Sequence, residues 1–267
     1  MKVKEIINAL EEFAPLALQD GYDNAGLQIG LAKDADATGA LLCLDVTEEV
    51  VDEAIRQGCN LIISHHPLMF HPLKKITGDD VSSRVIIKAV KKDITIYSAH
   101  TNLDVAYGGV NHKIAEKLGL QDLQWLRERG TYQSAGQTLT AGDGVIGTLP
   151  TPIDAKDFME VVKETFAIRS LRVNDPGQKT ISRVALCGGA GSSLIPVAAE
   201  QGADAFLTGE IGYHRFFGYD GKMLLVEMGH YESEQYTLEI FSEIISRVSP
   251  KLPVICTEVK TNPINCL

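Results

Sequence analysis

A chain of 267 residues with 45% hydrophobic and 22% charged side chains has ordinary globular composition and room for one big domain or two intertwined halves. Its formal charge of −10, with no basic run of five or more, speaks against nucleic acid as the main partner, because phosphate contacts need clustered Lys and Arg. No stretch reaches the roughly eighteen apolar residues of a membrane span.

The first segment, MKVKEIINALEEF, has an amphipathic helix pattern carrying Glu5, Glu11 and Glu12, so it lacks the unbroken apolar core of a signal peptide. Short apolar runs at 40–46, 60–64, 94–99, 183–187, 205–208 and 223–228 predict buried strands. Helical periodicity at 48–57, 81–92, 108–118, 192–201 and 233–247 follows most of them. Thr47 is placed to cap the first of these helices and Gly58 to stop it. Strands alternating with helices predict an α/β class with mixed sheets covered by helices. The stretch 123–182 is more polar, has turn signals at Gly142, Gly144 and 174–177, and holds one strong helix at 154–166. It reads as the start of a second half reached by a surface connection. Of the five cysteines, Cys43, Cys59 and Cys187 lie in or beside apolar runs, and Cys256 and Cys266 form no CxxC. They indicate neither a disulfide framework nor a thiolate zinc site, so a reducing cytoplasm is expected.

The sequence also repeats. At a shift of 144, Leu42-Cys43 falls on Leu186-Cys187, Gln57-Gly58 on Gln201-Gly202, Asn60 on Asp204, Ser64 on Thr208 and His66 on Glu210. At a shift of 130, His100 falls on His230 and Asp104 on Glu234. The expected architecture is two intertwined, duplicated α/β repeats, 1–126 and 127–267, with the segment from about 228 packing back on the first.

Each unusual polar cluster sits just after a predicted strand, where open α/β sheets bind ligands. These are Ser64-His65-His66-Pro67, His100 to Asp104, Thr208-Gly209-Glu210 and His230 to Glu234. Imidazole and carboxylate together suit zinc, iron, manganese or cobalt. Adjacent His65 and His66 at a turn can serve two neighbouring ions, and Asp104 and Glu234 can bridge them. Two ions about 3.5–4 Å apart are the usual hydrolytic arrangement. Glu210 is the first candidate for moving protons and His100 the second. His100 has an equally good alternative in holding Asp104. His71 and His112 read as ordinary surface or core residues. The glycine-rich run 187–193 reads as a tight turn packed against the cleft, with a weaker reading as a phosphate cradle.

Five segments match a known pattern in order: 23–28 (DNAGLQ), 64–68 (SHHPL), 98–104 (SAHTNLD), 207–210 (LTGE) and 229–234 (GHYESE). Together they resemble the NIF-three-like family, also described as GTP cyclohydrolase I type-two homologues. The resemblance implies a duplicated α/β fold, a hexameric ring of identical chains, and a centre of two divalent metal ions on His65, His66, Asp104, His230 and Glu234. It puts His100 and Glu210 in the same region. Two function classes follow. One is a hydrolase acting on a nucleotide or another small phosphorylated or cyclic substrate. The other is a metal-binding regulator, metallochaperone or interaction protein without turnover.

Overall fold

Capping residues set the helix bounds, and the apolar runs between them become strands buried on both faces. The computed structural model describes residues 1–30, 35–175, 177 and 179–265, so Cys266 and part of the 174–177 turn lie outside it. It has two compact units: residues 1–103, 133–138 and 237–263 in the first, and 104–132 and 139–236 in the second.

The first unit contains α1 (Val3–Phe13), β1 (Gly26–Ile29), β2 (Ala40–Cys43), α2 (Glu48–Gln57), β3 (Leu61–Ser64), α3 (Val81–Lys91) and β4 (Thr95–Ser98). A short helix, α4 (Thr101–Val105), then carries the chain into the second unit. The Thr47 side chain accepts from the Val50 amide, and Gly58 ends α2 in the left-handed region at φ 71°, as the sequence predicts. The sheet order is β1-β4-β3-β2 with a final strand from the C-terminal segment. β2, β3 and β4 are parallel, and β1 runs antiparallel at the β4 edge. Leu41, Ile62 and Ile96 pack with Val50, Val51, Ala54, Val85 and Ala89 of α2 and α3. Leu42, Ile63 and Tyr97, fully buried as well, alternate to the other face.

The second unit contains α5 (Val110–Lys117), β5 (Gln121–Ser134), β6 (Gln137–Asp154), α6 (Ala155–Phe166), β7 (Arg172–Val173), β8 (Thr180–Cys187), α7 (Ile195–Glu200), β9 (Ala205–Thr208), β10 (Leu224–Glu227) and α8 (His230–Glu234). Two further elements, α9 (Thr237–Val248) and β11 (Val254–Cys256), belong to the first unit, where α9 packs on α1 and β11 pairs in parallel with β2. Glu53, only 2% exposed on α2, fixes the exit from β11 by accepting from the Thr257 hydroxyl and the Glu258 amide. A carboxylate buried without such donors would cost several kcal/mol. The second sheet has the order β5-β6-β8-β9-β10-β7. β8, β9 and β10 are parallel, and β7 is antiparallel at the β10 edge.

The two sheets repeat in register as well as in order. Ala40 pairs Leu61 through Cys43 pairing Ser64, and Val184 pairs Ala205 through Cys187 pairing Thr208. Every one of these four pairs obeys the 144-residue shift. The Asn60 side chain accepts from the Thr38 amide, and Asp204 accepts from Ser182, its counterpart. The last strands follow a shift of 129, since Ser64 pairs Ser98 and Thr208 pairs Glu227. The shift of 130 seen at the histidines therefore needs one extra residue after β10. Gly229, at φ 95°, takes it up.

The polar stretch after 120 departs from the expected surface connection. It forms a long hairpin, β5 and β6, turned at Ala135-Gly136 with φ 47° and 76°. Gly142 and Gly144 lie inside β6 rather than in turns. A Cβ at Gly142 would strike the Trp125 ring, so this glycine lets an aromatic side chain cross the strand. The predicted helix at 192–201 is a 3₁₀ turn, Ser192–Leu194, running into α7. The helix predicted at 233–247 is split between α8 and α9.

Candidate metal centre

In the first unit the parallel strands β3 and β4 end side by side, and His65, His66 and His100 follow directly. The ring centroids of the three lie 4.9, 5.3 and 5.5 Å apart. Each offers a ring nitrogen within 4.8 Å of the others, enough to hold an ion.

The ring orientations are fixed from behind. Nδ1 of the fully buried His65 lies 2.9 Å from the Ala99 carbonyl, and Nδ1 of His66 is 2.8 Å from the Asp45 carboxylate. Nδ1 of His100 is 2.8 Å from Asp23. A carbonyl or carboxylate can only accept, so each Nδ1 carries a proton, and in the neutral ring Nε2 keeps the lone pair. This is how metal-binding histidines are oriented.

Asp23 and Asp45 were not singled out from the sequence as site residues. Burial works against the charge on Asp23, but hydrogen bonds from His100 and Thr101 outweigh it and hold the carboxyl at about 2. Burial likewise opposes Asp45, and His66 and the Thr261 hydroxyl overcome it and lower the carboxyl. The rest of the DNAGLQ segment braces the neighbouring loop. Asn24 donates to the Met69 carbonyl while Gln28 accepts from the Met69 amide. The His66 carbonyl accepts from the Ser64 hydroxyl.

In the second unit each residue of Thr208-Gly209-Glu210 has a separate task. Thr208 donates to the Gly189 carbonyl and accepts from the Gly191 amide. A Cβ at Gly209 would strike the Gly189 carbonyl and the His230 backbone. Glu210 accepts at 2.7 Å from His230 Nδ1. Nε2 of the same ring is 3.2 Å from the Glu234 carboxylate, which is nearly buried. Both nitrogens thus face carboxylate oxygens, and a neutral ring has only one N–H. The second contact calls for another positive centre, a ring proton or a bound cation. Asp104 sits in the same unit. Buried Asn111 donates to its main-chain carbonyl and accepts from the Gly188 amide.

The glycine-rich loop turns three of its amides into the fold. The amides of Gly188, Gly189 and Gly191 are taken by Asn111, Ser233 and Thr208. The loop supports Glu234. Gly189 is left-handed at φ 58°, and a Cβ there would land on the Glu234 carboxylate, with His230 Cε1 at 3.5 Å. Burial and the charges of Asp104, Asp143 and Glu234 push the Cys187 thiol upward, so it stays protonated and supplies no thiolate. His112 is a core histidine between the Tyr107 and Trp125 rings, and burial lowers it to about 4. Imidazole and carboxylate donors with oriented rings fit divalent transition metals.

The DUF34/NIF3 family model (NGG1p interacting factor 3) matches residues 1–263, and the chain belongs to that family. It is 32% identical over 268 residues to a protein of Clostridium acetobutylicum named GTP cyclohydrolase 1 type 2 homolog, with 98% of each chain covered. A Streptococcus pneumoniae protein of the same name is 33% identical over 273 residues, again with 98% of each covered. Among solved structures, a Bacillus cereus protein related to NIF3 superposes with a TM-score of 0.88 at 28% identity, covering 100% of this chain and 99% of that one. HcgD from Methanocaldococcus jannaschii superposes at 0.79 and 29% identity, covering 97% and 98%. The mixed α/β fold with two mixed sheets is that of these relatives. Among the described residues no helix is long and apolar enough to cross a membrane.

The cradle predicts a specific sensitivity. Gly189→Ala should displace the Glu234 carboxylate and lower the metal content of purified protein severalfold. Gly202→Ala, also left-handed at φ 74° but with nothing within 4 Å, carries the same backbone cost of about 1–2 kcal/mol and should keep its metal. Elemental analysis of both proteins, made without chelator, decides it, and equal metal in the two would remove the argument.

Proposed function

We propose that this chain is a metal-dependent hydrolase acting on a nucleotide or another small phosphorylated or cyclic substrate. Two divalent ions, of zinc, iron, manganese or cobalt, would be held by His65, His66, Asp104, His230 and Glu234. The observation that carries the reading is the acceptor behind Nδ1 of His65, His66, His100 and His230, which commits Nε2 as a donor in each. The first unit's rings are neutral in this form. The negative charge that balances two dications comes from Asp104 and Glu234, and on this reading the two donor sets serve one pair of ions.

Bound there, such ions supply Lewis acidity and a hydroxide nucleophile near neutral pH. The chain's own groups do the rest. The Glu210 side chain is 60% exposed, so a substrate can reach it, and it shares a short hydrogen bond with His230 along which a proton can move. His100, fastened by Asp23 and 15% exposed, is the second proton carrier. A second reading, a metal-binding regulator or interaction protein, draws on the words interacting factor in the family's description. We further propose that the chain works in the cytoplasm as a homohexamer.

Protein purified without chelator should hold close to two metal equivalents, and a firm value of one that added metal does not raise would overturn the dinuclear reading. Glu234→Ala should lose more metal than His65→Ala, since a carboxylate can serve both ions. A screen of metal-loaded protein against nucleotides and phosphate esters identifies a substrate. Glu210→Gln should then keep its metal and lose turnover by about 10²-fold or more. Full activity in that variant excludes Glu210 as proton carrier, and a wild type that turns over nothing moves the regulator reading ahead. Light scattering should report six copies, and a stable monomer at micromolar concentration would refute the ring.

A further inference from the structure

Phe70 lies four residues past His66, in the loop whose Met69 backbone is clamped by Asn24 and Gln28. It is 38% exposed, and its neighbour Tyr22 is 66% exposed. Fully burying a phenyl group stabilises by about 1.5–3 kcal/mol, so leaving two rings this open calls for an explanation. Phe70 meets Tyr22 at 6.2 Å and 58°, His71 at 5.0 Å and 71°, and His100 at 6.0 Å and 80°. None of these neighbours lies parallel to Phe70. The ring is held edge to face beside the histidine cluster.

The arrangement recurs in the other repeat. At a shift of 143, Phe70-His71 falls on Tyr213-His214, three residues past Glu210. Those rings meet at 5.1 Å and 78°, much as Phe70 and His71 do. Tyr213 is 68% exposed and Phe217 beside it 62%. Both repeats therefore follow their site loop with an exposed aromatic–histidine pair.

We propose that Phe70, backed by Tyr22, is a stacking wall for the planar heteroaromatic ring of the substrate. This rests on the metal-dependent reading of the neighbouring histidines. Rings prefer offset parallel or edge-to-face contact, and the parallel position on Phe70 is the one its neighbours do not take. Dications bound at the histidines would attract the phosphate of any phosphorylated ligand alike, so the phosphate does not discriminate between ligands. Recognition of a nucleotide-class ligand then falls on its base, and stacking tolerates any flat heterocycle. Phe70 acts here as a specificity residue and takes no part in the chemical step.

Calorimetric titration of GMP and of ribose 5-phosphate into the intact protein, metal-loaded and metal-stripped, tests the wall. On metal-loaded wild type, GMP should bind at least about tenfold tighter than ribose 5-phosphate, as one stacked base implies. Phe70→Leu keeps an apolar side chain but loses the π face. It should bring GMP to within about twofold of the sugar phosphate at unchanged metal content, and Phe70→Trp should restore the preference. Equal binding of the two probes by wild type, or a Phe70→Leu protein that keeps the preference, overturns the proposal. So does a Phe70→Leu protein whose size by light scattering changes while its GMP affinity does not, because Phe70 would then cover a second copy of the chain. Binding is read without turnover. Failure to hold metal defeats the hydrolase reading while the base preference stays measurable, and a full metal complement without that preference defeats the wall alone.

Discussion

The acceptor behind each histidine is the constraint on which the candidate centre depends. A histidine side chain rotates about two bonds and exists as two neutral tautomers, so a fixed acceptor behind Nδ1 in four of them is improbable by chance. Ala99, Asp45, Asp23 and Glu210 remove that freedom by accepting the Nδ1 proton. Three of these acceptors come from segments far in sequence from the ring they hold. They meet it only because the strands pair as they do: Asp45 follows β2, Ala99 follows β4, and Asp23 precedes the edge strand β1. A slip of one residue in β3 against β4 would turn Ser64, His65 and His66 to the wrong faces and part every one of these contacts.

The duplicated register explains how one architecture yields two different donor sets. The paired strands and the side chains of Asn60 and Asp204 repeat closely, because they hold the sheets together and any change there costs both strands. The residues just past the strand ends carry no such load, and they diverge. His66 in one repeat stands where Glu210 stands in the other, so one half is rich in neutral imidazole and the other in carboxylate. Gly229 shows the same freedom at the backbone level: an extra residue is absorbed by one left-handed glycine without disturbing β10.

Much of this was legible in the sequence, and what was not has physical reasons. The central strands and helices announce themselves through apolar runs and caps, since burial on both faces leaves little choice of residue. His65, His66, His230 and Glu234 stood out because such groups are rare at the ends of buried strands. Two of the anchors did not stand out as site residues. Asp23 and Asp45 look like any loop aspartate until the fold brings a ring to them. The β5–β6 hairpin was hidden because β5 is mostly exposed and polar and β6 is buried in a short central run, so neither shows the alternation that marks a half-buried strand, and their glycines mimic turns. Gly142 is there for the Trp125 ring, which only the folded hairpin places beside it.

The glycine-rich loop after β8 shows why such a motif has to be judged by where its amides go. A phosphate cradle needs several amides converging outward on one point. Here they turn inward to three partners on three elements: Asn111 on α5, Thr208 at the end of β9 and Ser233 on α8. The loop's glycines are needed for approach. Gly191 crowds Cys187 and Thr208, and Gly189 leaves the space that the Glu234 carboxylate fills. Asn111 and Ser233 bind the loop and also the backbone of Asp104 and His230. The same hydrogen bonds that turn these three amides inward therefore fix the carboxylate-bearing helices α4 and α8 against one strand end. The rigidity an ion site requires is built from neutral side chains bonded to main-chain groups and uses no further charge.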